Sequence, residues 1–274
     1  SKYRPLEAGY QLRSPRVNLR LMAYYINLRN QVSVRSFFLD SSFRDEEGNV
    51  TSGFVNYVIN GQNSVSKGIE ASAEVKLGGG FEARATGAFG NHRFTNRPIG
   101  KAFLDNNPNV TAERLLYVKN FVVAGTPQTA GTLGLTYNSP NFWFVNLNLN
   151  YFDDIYIDFF PQRRTLEAIS NVPNPVFSQQ TVSPESDLFD RIIAQEKAPS
   201  ALTLDVFGGK SFKIKRQFIY INVGVNNILD KTDFITGGFE QSRFDFETRN
   251  VDRFPPRYFY AFGRNYFVSL DYSF

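Results

Sequence analysis

Apolar and polar residues alternate along much of this chain with a period of two. In "LEAGYQLR", at residues 6–13, the apolar positions are Leu6, Ala8, Tyr10 and Leu12. A β-strand points successive side chains to opposite faces, so each such run predicts a strand with one apolar and one polar face. Nine runs of this kind occur, at residues 6–13, 17–25, 68–77, 81–89, 132–137, 143–151, 202–210, 218–227 and 266–274.

The connections between the predicted strands alternate in length. Tight turns are expected near Ser14, Gly79, Pro140 and Lys215. Long loops are expected at roughly residues 36–54, 92–127, 155–199 and 228–257, and "DLFDRIIAQEK", residues 187–197, predicts a short helix in the third. Strict alternation of short turns with long loops is typical of membrane barrels, whose turns face the periplasm and whose loops face the outside.

Two further features favour a membrane barrel over a soluble β-sandwich. The polar faces carry hydrophilic residues at successive positions, as at Asn146, Asn148 and Asn150, which a water-filled or plugged lumen requires. Aromatic residues gather at strand ends, where they can form interfacial girdles: Tyr25, Phe81, Phe89, Tyr137, Trp143, Tyr151, Tyr266, Tyr272 and Phe274. We therefore predict an all-β fold, a transmembrane antiparallel β-barrel.

The strand count bears on how much of a barrel is present. If the tight turns are periplasmic, the last strand ends at the periplasmic side with Phe274, and the first strand starts on the extracellular side. A complete single-chain bacterial barrel has an even number of strands and both termini in the periplasm. Nine strands therefore predict the C-terminal part of a larger barrel, or one chain of a split barrel, and a biological start other than Ser1.

Composition agrees with this prediction and excludes several classes of protein. The 274 residues include 28 Phe and 14 Tyr, an excess expected where rings cover an apolar surface or lie at a membrane boundary. No run approaches the ~18 apolar residues of a transmembrane helix. Cysteine is absent, which excludes disulfides and cysteine metal sites. The net charge of +4 without a Lys/Arg run argues against a nucleic-acid partner.

Catalytic chemistry is not indicated. His92 is the only histidine, so neither a zinc site nor a histidine-based triad is supported, and no Gly-rich phosphate loop occurs. We expect no enzyme activity, no cofactor and no metal. The stretch "DDIYID" holds Asp153, Asp154 and Asp158, which could bind Ca²⁺ through loop carboxylates, but a solvated strand end is the preferred interpretation.

Four stretches resemble the C-terminal barrel half of TonB-dependent outer-membrane receptors. They are the opening "LEAGYQLRSPRVNLRLMAYYINLRNQV", "SVSKGIEASAEVKL" with Gly68-Ile69-Glu70, "INVGVNNILDK" with its Asn226–Lys231 ending, and "AFGRNYFVSLDYSF" with Gly263-Arg264. The stretch "NYFDDIYIDFFPQRRT", residues 150–165, is also similar to receptors of the Bacteroidota branch.

The resemblance implies a 22-stranded barrel filled by an N-terminal plug, with residues 1–274 forming its C-terminal portion and the plug domain and earlier strands absent. It implies TonB-coupled import of a scarce, bulky ligand across the bacterial outer membrane. The expected partners are the plug and remaining strands, TonB through the plug, lipid, and a possible surface lipoprotein. A passive porin and a secreted β-sandwich adhesin or binding module are the alternatives; siderophore, haem, cobalamin, glycan and peptide all remain open as ligands.

Site residues follow from the resemblance and from chemistry. The candidates for facing the plug or ligand are Asn146, Asn148, Asn150, Asp154, Arg163, Arg164, Asn226 and Arg243. The arginines could bind an anionic ligand, although pairing with loop carboxylates is the preferred interpretation. Loop rings could stack on a flat ligand or pack the loops together: Phe159, Phe160, Phe234, Phe239 and Phe244. The resemblance further implies that the last strand carries the barrel-assembly signal, at Tyr266, Val268, Leu270, Tyr272 and Phe274.

Overall fold

The computed structural model describes residues 2–44, 50–105, 107–169, 182–215, 217–246 and 248–273. The strands are β1 (Lys2–Arg13), β2 (Val17–Arg44), β3 (Val50–Gly78), β4 (Phe81–Phe94), β5 (Ile99–Leu104), β6 (Asn107–Leu115), β7 (Thr129–Asn138), β8 (Trp143–Asp153), β9 (Ala201–Ile214), β10 (Gln217–Asn226), β11 (Ile235–Phe239), β12 (Arg257–Tyr260) and β13 (Asn265–Ser273). One antiparallel path runs β1-β2-β3-β4-β7-β8-β9-β10-β13. These are the nine strands that the alternation predicts, so the prediction of an antiparallel all-β wall is confirmed.

The register brings the apolar positions of all nine strands onto one face. Tyr10 of β1 lies opposite Leu21 of β2, which lies opposite Ala71 of β3. The same relation holds at the other end of the sheet, where Val225 of β10 lies opposite Tyr266 of β13. Directly opposed residues in an antiparallel pair point to the same side, so the apolar face is continuous from β1 to β13. We call this face the outer face and the opposite one the inner face.

The outer face is uncovered. Its most exposed apolar side chains leave half or more of their surface accessible: Leu6, Tyr10, Leu21, Ile69, Phe89, Leu133, Tyr266, Val268, Leu270 and Tyr272. A β-sandwich would bury such a face against a second sheet. A membrane barrel instead presents it to lipid, and the nine-stranded wall therefore fits the barrel and not the sandwich.

Aromatic rings mark the turn edge of the outer face. The ring centroids of Phe81 and Tyr137 are 4.6 Å apart, and those of Tyr137 and Trp143 are 5.1 Å apart. At the other end of the same strands lie Phe89 and Tyr151, each eight residues along from a ring of the first row. Eight residues of a strand tilted by about 40° rise roughly 20 Å, close to the height of the apolar band of membrane barrels.

The four tight connections all lie at one edge of the wall, as predicted. Ser14 closes the first turn, since its hydroxyl accepts a hydrogen bond from the Val17 amide at 3.0 Å. In the second turn Gly80 has φ +87°, and a Cβ there would lie 2.2 Å from the Asn138 carbonyl oxygen. Only glycine tolerates both that φ and that approach, so the chain reverses there without strain.

The prediction of a long loop at residues 36–54 is wrong. β2 continues to Arg44, β3 begins at Val50, and these parts of the two strands pair with each other as a ribbon. Asn30 has φ +54°, its amide donates to Asn63 Oδ1 at 2.9 Å, and the register shifts there. A bulge adds one residue and inverts the parity of the side chains that follow. The outer positions change from odd numbers before Asn30 to even numbers after it, which breaks the alternation that the sequence analysis relied on.

The other long connections also carry ordered elements. β5 pairs with the upper part of β3 and with β6, so the segment at 92–127 contains a hairpin. The segment at 155–199 holds a 3-10 turn (Pro161–Arg164) and the helices α1 (Leu166–Ile169) and α2 (Asp187–Ile193), the second of which confirms the first seven residues of the predicted helix. β11 and β12 pair with each other, and Phe239 of β11 also bridges to Asp158 in parallel. No helix in the described part of the chain is long and apolar enough to cross a membrane.

Candidate functional site: the inner wall and its loop cluster

The inner face carries a hydrogen-bonded polar network centred on Asn150. Its Nδ2 donates to Asp205 Oδ2 at 2.8 Å and to Thr203 Oγ1 at 3.3 Å, and its Oδ1 accepts from the Thr132 hydroxyl at 2.8 Å. The other oxygen of Asp205 accepts from the Asn227 amide at 2.8 Å. The network therefore joins β7, β8, β9 and the end of β10 across the inner face.

The other inner-wall candidates share this face. Asn146 and Asn148 precede Asn150 at alternate positions of β8, and Asn226 of β10 donates to Asn265 Oδ1 of β13 at 2.9 Å. Asn148 lies directly opposite Asp205, so its amide and that carboxylate are neighbours on the wall. The alternation thus assigned these residues to the correct polar face, whereas their contacts with a plug or ligand stay predictions.

A shallow concavity of about 360 Å³ lies on the wall beside this network. Arg20, Glu70 and Thr132 line it together with the apolar side chains of Met22 and Phe152. The guanidinium donates hydrogen bonds, the carboxylate accepts them, and the hydroxyl does both. The concavity therefore offers a mixed surface, with a few polar groups on a mainly apolar floor.

At the edge of the wall opposite the tight turns, loops pack against the inner face of the β2–β3 ribbon beyond Asn30. Val55, Tyr57 and Ile59 of β3 are each 1% exposed and pack with Phe159 and Phe160. We call the assembly of segments 155–165, 194–198 and 234–240 with this ribbon the loop cluster. Burial of a large apolar side chain contributes roughly 1.5–3 kcal/mol, so these contacts hold the loops in one arrangement.

A buried ion pair lies within the loop cluster. Arg164 is 1% exposed, and its Nη1 and Nη2 contact Glu240 Oε2 and Oε1 at 3.0 and 2.5 Å. Glu240 also accepts from the Phe160 amide at 2.8 Å, and Arg164 donates to the Ala194 carbonyl at 2.8 Å. The pair thereby connects all three segments of the cluster, and the Arg164 guanidinium is enclosed rather than presented to a ligand.

Arg163 lies beside this pair and is also engaged by protein groups. Its Nε donates to the Ile192 carbonyl at 2.8 Å, and its Nη1 lies 3.5 Å from Glu240 Oε1. Burial lowers the pKa of the Arg163 guanidinium, and the Glu240 carboxylate opposes that effect. The pairing of both arginines with a loop carboxylate is the arrangement that the sequence analysis preferred. Arg243 lies with its guanidinium carbon 5.8 Å from the centroid of the Phe254 ring.

Basic side chains balance the three aspartates of the Ca²⁺ candidate. Lys197 Nζ lies 3.0 Å from Asp153 and 2.7 Å from Asp154, and hydrogen bonds to these carboxylates raise the pKa of Lys197. Asp158 lies 2.9 Å from Arg35. No group of three or more His, Cys, Asp or Glu residues in the described ranges is arranged to hold a metal ion. Asp154 therefore forms an ion pair with Lys197 just after the end of β8.

The five loop rings differ in burial. Phe159, Phe160 and Phe234 are at most 8% exposed, so they pack the loops together. Phe239 is 40% exposed and lies 5.8 Å from the Phe259 ring, so this pair remains accessible for stacking. Phe244 is half-buried and packs on the ring of Phe246 at 5.0 Å.

The sequence analysis missed Glu240, because no local pattern marks a carboxylate whose partner is remote in the chain.

The terminal strand shows the expected division between its two faces. Tyr266, Val268, Leu270 and Tyr272 lie on the outer face opposite apolar residues of β10. Phe274 lies outside the described residues. Whether this strand is read as an assembly signal stays a prediction.

Comparison with known proteins identifies a related group. The family model described as TonB dependent receptor-like, beta-barrel matches residues 6–228. Among solved structures, the ferric citrate transporter FecA in its unliganded form matches 99% of the chain at 16% identity, with a TM-score of 0.55. The copper transporter OprC matches 99% at 13% identity, with a TM-score of 0.54. At these identities the likeness concerns the fold. A search among curated proteins finds no match.

The chain spans about a third of the length of the solved structures that it matches, since it covers 31% of FecA and 31% of OprC. The observed wall is correspondingly open, with β1 and β13 each paired on one side among the described residues.

Proposed function

Because the chain belongs to the TonB-dependent receptor-like β-barrel family, we propose that it forms part of the wall of an outer-membrane importer that uses TonB-coupled energy. The family consists of receptors and transporters, so catalysis is not part of the proposal. The imported ligand is proposed to be scarce and too bulky for passive diffusion. The FecA and OprC structures are of ferric citrate and copper transporters, and such metal-bearing solutes are the first probes to try.

One observation carries the proposal: a single uncovered apolar face and a single polar face run across nine antiparallel strands, with the long loops at one edge. Lipid on one side and a hydrated interior on the other account for both faces. A soluble binding module would expose the apolar face to water at a large free-energy cost. The loop cluster over the inner side of β2 and β3 supports a ligand site at that edge.

The orientation and partners follow as proposals. The tight turns and the end of β13 are placed in the periplasm, and the loop cluster is placed at the cell surface. An N-terminal plug would contact the inner-wall network around Asn150 and the neighbouring concavity. TonB would act through that plug, so no residue of this chain is assigned to TonB. A lipoprotein partner and a Bacteroidota origin stay predictions.

The test measures energy-dependent uptake in cells. Cells with and without the intact gene would be supplied with radiolabelled ferric citrate, copper, cyanocobalamin, haemin and maltooligosaccharides as separate probes. The proposal expects uptake of one probe that needs the gene and stops on deletion of TonB or addition of a protonophore. Gene-dependent uptake that continues without TonB and with the protonophore would identify a passive porin instead.

A separate measurement tests the membrane barrel itself. Folded membrane barrels migrate differently on gels before and after boiling, because the unboiled barrel resists the detergent. The unboiled protein extracted from outer membranes with detergent should run as the compact form. Recovery of the folded protein in the soluble fraction without detergent would contradict the barrel and, with it, the importer.

A further inference from the structure

Beyond Asn30 the wall continues past the apolar band as a four-stranded antiparallel sheet. β3 pairs with β2 on one side and with β5 on the other, and β6 pairs with β5. The loop cluster covers the inner face of this sheet. We call its outward face the ribbon face. Its exposed apolar side chains are Val32, Val34, Phe38, Phe54, Ile99 and Leu115.

The ribbon face is apolar where contact with water would favour polar residues. An antiparallel strand with one face in water alternates apolar and polar side chains. The stretch "FVNYVI", residues 54–59, instead places Phe54 and Val58 outward and Val55, Tyr57 and Ile59 inward. Such a run is typical of a strand that is covered on both faces. The loop cluster provides the inner cover, and the described part of the chain provides no outer one.

The polar groups of the ribbon face are paired with one another. The Ser36 hydroxyl donates to Asn56 Oδ1 at 2.7 Å, and in the central part Lys101 Nζ lies 2.8 Å from Glu113 Oε1, so that their charges cancel. Asp105 lies at the tip, where Asn56 Nδ2 donates to it at 3.4 Å. A face whose polar groups are already paired loses little when it leaves water. Its centre, without net charge, does not repel an identical face.

The other parts of a membrane barrel would not cover the ribbon face. The remaining strands would continue the wall sideways from β1 and β13, and a plug would lie inside it, whereas this face points away from the barrel axis. Lipid lies too low. Phe54 is about 13 residues beyond Lys67, which lies opposite Tyr25 at the edge of the band. That distance places Phe54 roughly 30 Å above the band, whereas the headgroup layer is about 5–8 Å thick.

The same strands carry a patch of small residues on the outer face inside the band. Ala71 of β3 lies opposite Gly87 of β4, which lies opposite Gly131 of β7, and Ala73 lies opposite Ala85. Small residues let two membrane-spanning surfaces approach closely. Because this patch lies on β3 and β4 below the ribbon face, a neighbour in the membrane can contact both surfaces at once.

We propose that the ribbon face binds the ribbon face of a second copy of this chain, so that the protein is a dimer in the membrane. All copies enter a membrane in one orientation and to one depth. Identical outward faces therefore lie at the same height and can meet about a two-fold axis along the membrane normal. This inference goes beyond the proposed function, because it needs the membrane wall and neither TonB nor an imported ligand.

The area available is sufficient for a stable dimer. Four strands by about seven residues give the ribbon face roughly 450 Å², and the patch of small residues adds about 250 Å². Two copies in contact would bury about 1,400 Å² in all, which lies within the range of stable protein interfaces.

Crosslinking in intact outer membranes tests the contact directly. The chain contains no cysteine, so an introduced thiol reports where copies meet. Val58 lies at the centre of the ribbon face, between Val34 and Lys101. With a bismaleimide crosslinker, Val58→Cys should give a species of twice the receptor mass. The wild type and Leu166→Cys, on α1 at the same edge of the wall, should stay at the mass of one copy.

A second measurement uses charge to separate the copies. The double variant V34E/I99E would bring like charges together in the dimer, so its dissociation constant in non-ionic detergent, measured by mass photometry, should rise at least tenfold. The matched control L166E adds an acid elsewhere at the same edge and should dimerise as the wild type does. If V34E/I99E lacks the compact unboiled form, the crosslinking of Val58→Cys decides alone.

A wild type that stays monomeric in both measurements would overturn the proposal, as would a dimer that V34E/I99E leaves unchanged. Crosslinking of Val58→Cys only to a protein of another mass would overturn it as well, and would identify a different partner. TonB-dependent uptake is measured in the same cells. Loss of uptake in a crosslinked wild-type dimer would contradict the importer and leave the dimer standing.

Discussion

Arg164 and Glu240 are 76 residues apart in the chain, yet their side chains form a two-point ion pair inside the loop cluster. Glu240 is 7% exposed, and the pair connects the segment after β8, the end of α2 and β11. Removing one partner of a buried pair leaves an uncompensated charge, which is more costly than the pair itself is stabilising.

Substitution of Arg164 by Met should therefore open the loop cluster and cost about 3–5 kcal/mol of its local stability. The Glu240 carboxylate would remain buried with less compensation. Limited proteolysis of the protein in detergent, followed by mass mapping of cuts between residues 155 and 240, measures the opening. Replacing both partners, R164M with E240L, should restore part of the protection.

Arg191 and Asp252 provide the control for that prediction, because their side chains are 54% and 76% exposed although they lie 2.7 Å apart. An exposed pair contributes about 0–1 kcal/mol, so Arg191→Gln should leave the proteolysis pattern nearly unchanged. Equal sensitivity of the two variants would show that the buried pair does not hold the cluster.

Charge on the outer face should damage the barrel, whereas charge on the inner face should be tolerated. Val268 and Leu270 are 69% and 70% exposed on the outer face, and Ser269 points inward, where it accepts from Asn222 at 3.1 Å. Val268→Arg or Leu270→Arg should cost about 2–4 kcal/mol near the bilayer centre, and Ser269→Arg less. The amount of compact, unboiled protein in outer membranes measures the effect. Similar amounts for all three variants would contradict the assignment of faces.

The inner-wall network should respond to Asn150 more than to its neighbour on the same strand. Asn150→Ala removes partners from Asp205 and Thr132, so we expect a loss of about 1–3 kcal/mol. Asn148→Ala removes no side-chain hydrogen bond within the described residues and should change stability by about 0.5 kcal/mol or less. Denaturant unfolding followed by gel migration measures the free energy of unfolding of both variants. An equal loss in the two variants would contradict a stabilising role of the Asn150 network.

The loop around Asp245 should lose its order in acid. Burial disfavours the charged carboxyl, but hydrogen bonds from the Thr248 amide and hydroxyl and from Arg253 outweigh it and lower the pKa of Asp245 to about 2. Because the folded-state pKa is depressed, the stabilisation is present above the unfolded pKa of about 4 and is lost as the pH falls through about 2.

Hydrogen exchange of residues 240–255 should therefore be slow at pH 5 and faster near pH 2, after correction for the intrinsic rate. Asp245→Asn should exchange faster already at neutral pH, by about 2 kcal/mol of opening free energy at most. The segment at residues 201–206 of β9 serves as an internal reference. Protection of residues 240–255 that is unchanged in the Asn variant would exclude this role for the carboxylate.

The tight turns between the nine strands of the wall, and the division between its outer and inner faces, were determined by the sequence alone. Side chains alternate between the two faces of a strand, and the medium on each side of the wall favours apolar or polar residues there. The local pattern therefore indicates the inner face for Asn150 and the outer face for Leu270. The tight turns at Ser14 and Gly79 are equally local, since they depend on capping and on positive φ.

Only the tertiary structure decided the features that depend on remote partners. The bulge at Asn30 depends on the Asn63 side chain of the next strand. Because the sequence does not show this contact, the extension of β2 and β3 beyond the bulge was predicted to be a loop. Glu240 gains its role only when folding brings it to Arg164. Lys2 and Arg29 are likewise remote in the chain, and only antiparallel pairing brings them opposite each other. Local periodicity sets which face a side chain takes, whereas strand register and loop packing set its neighbours.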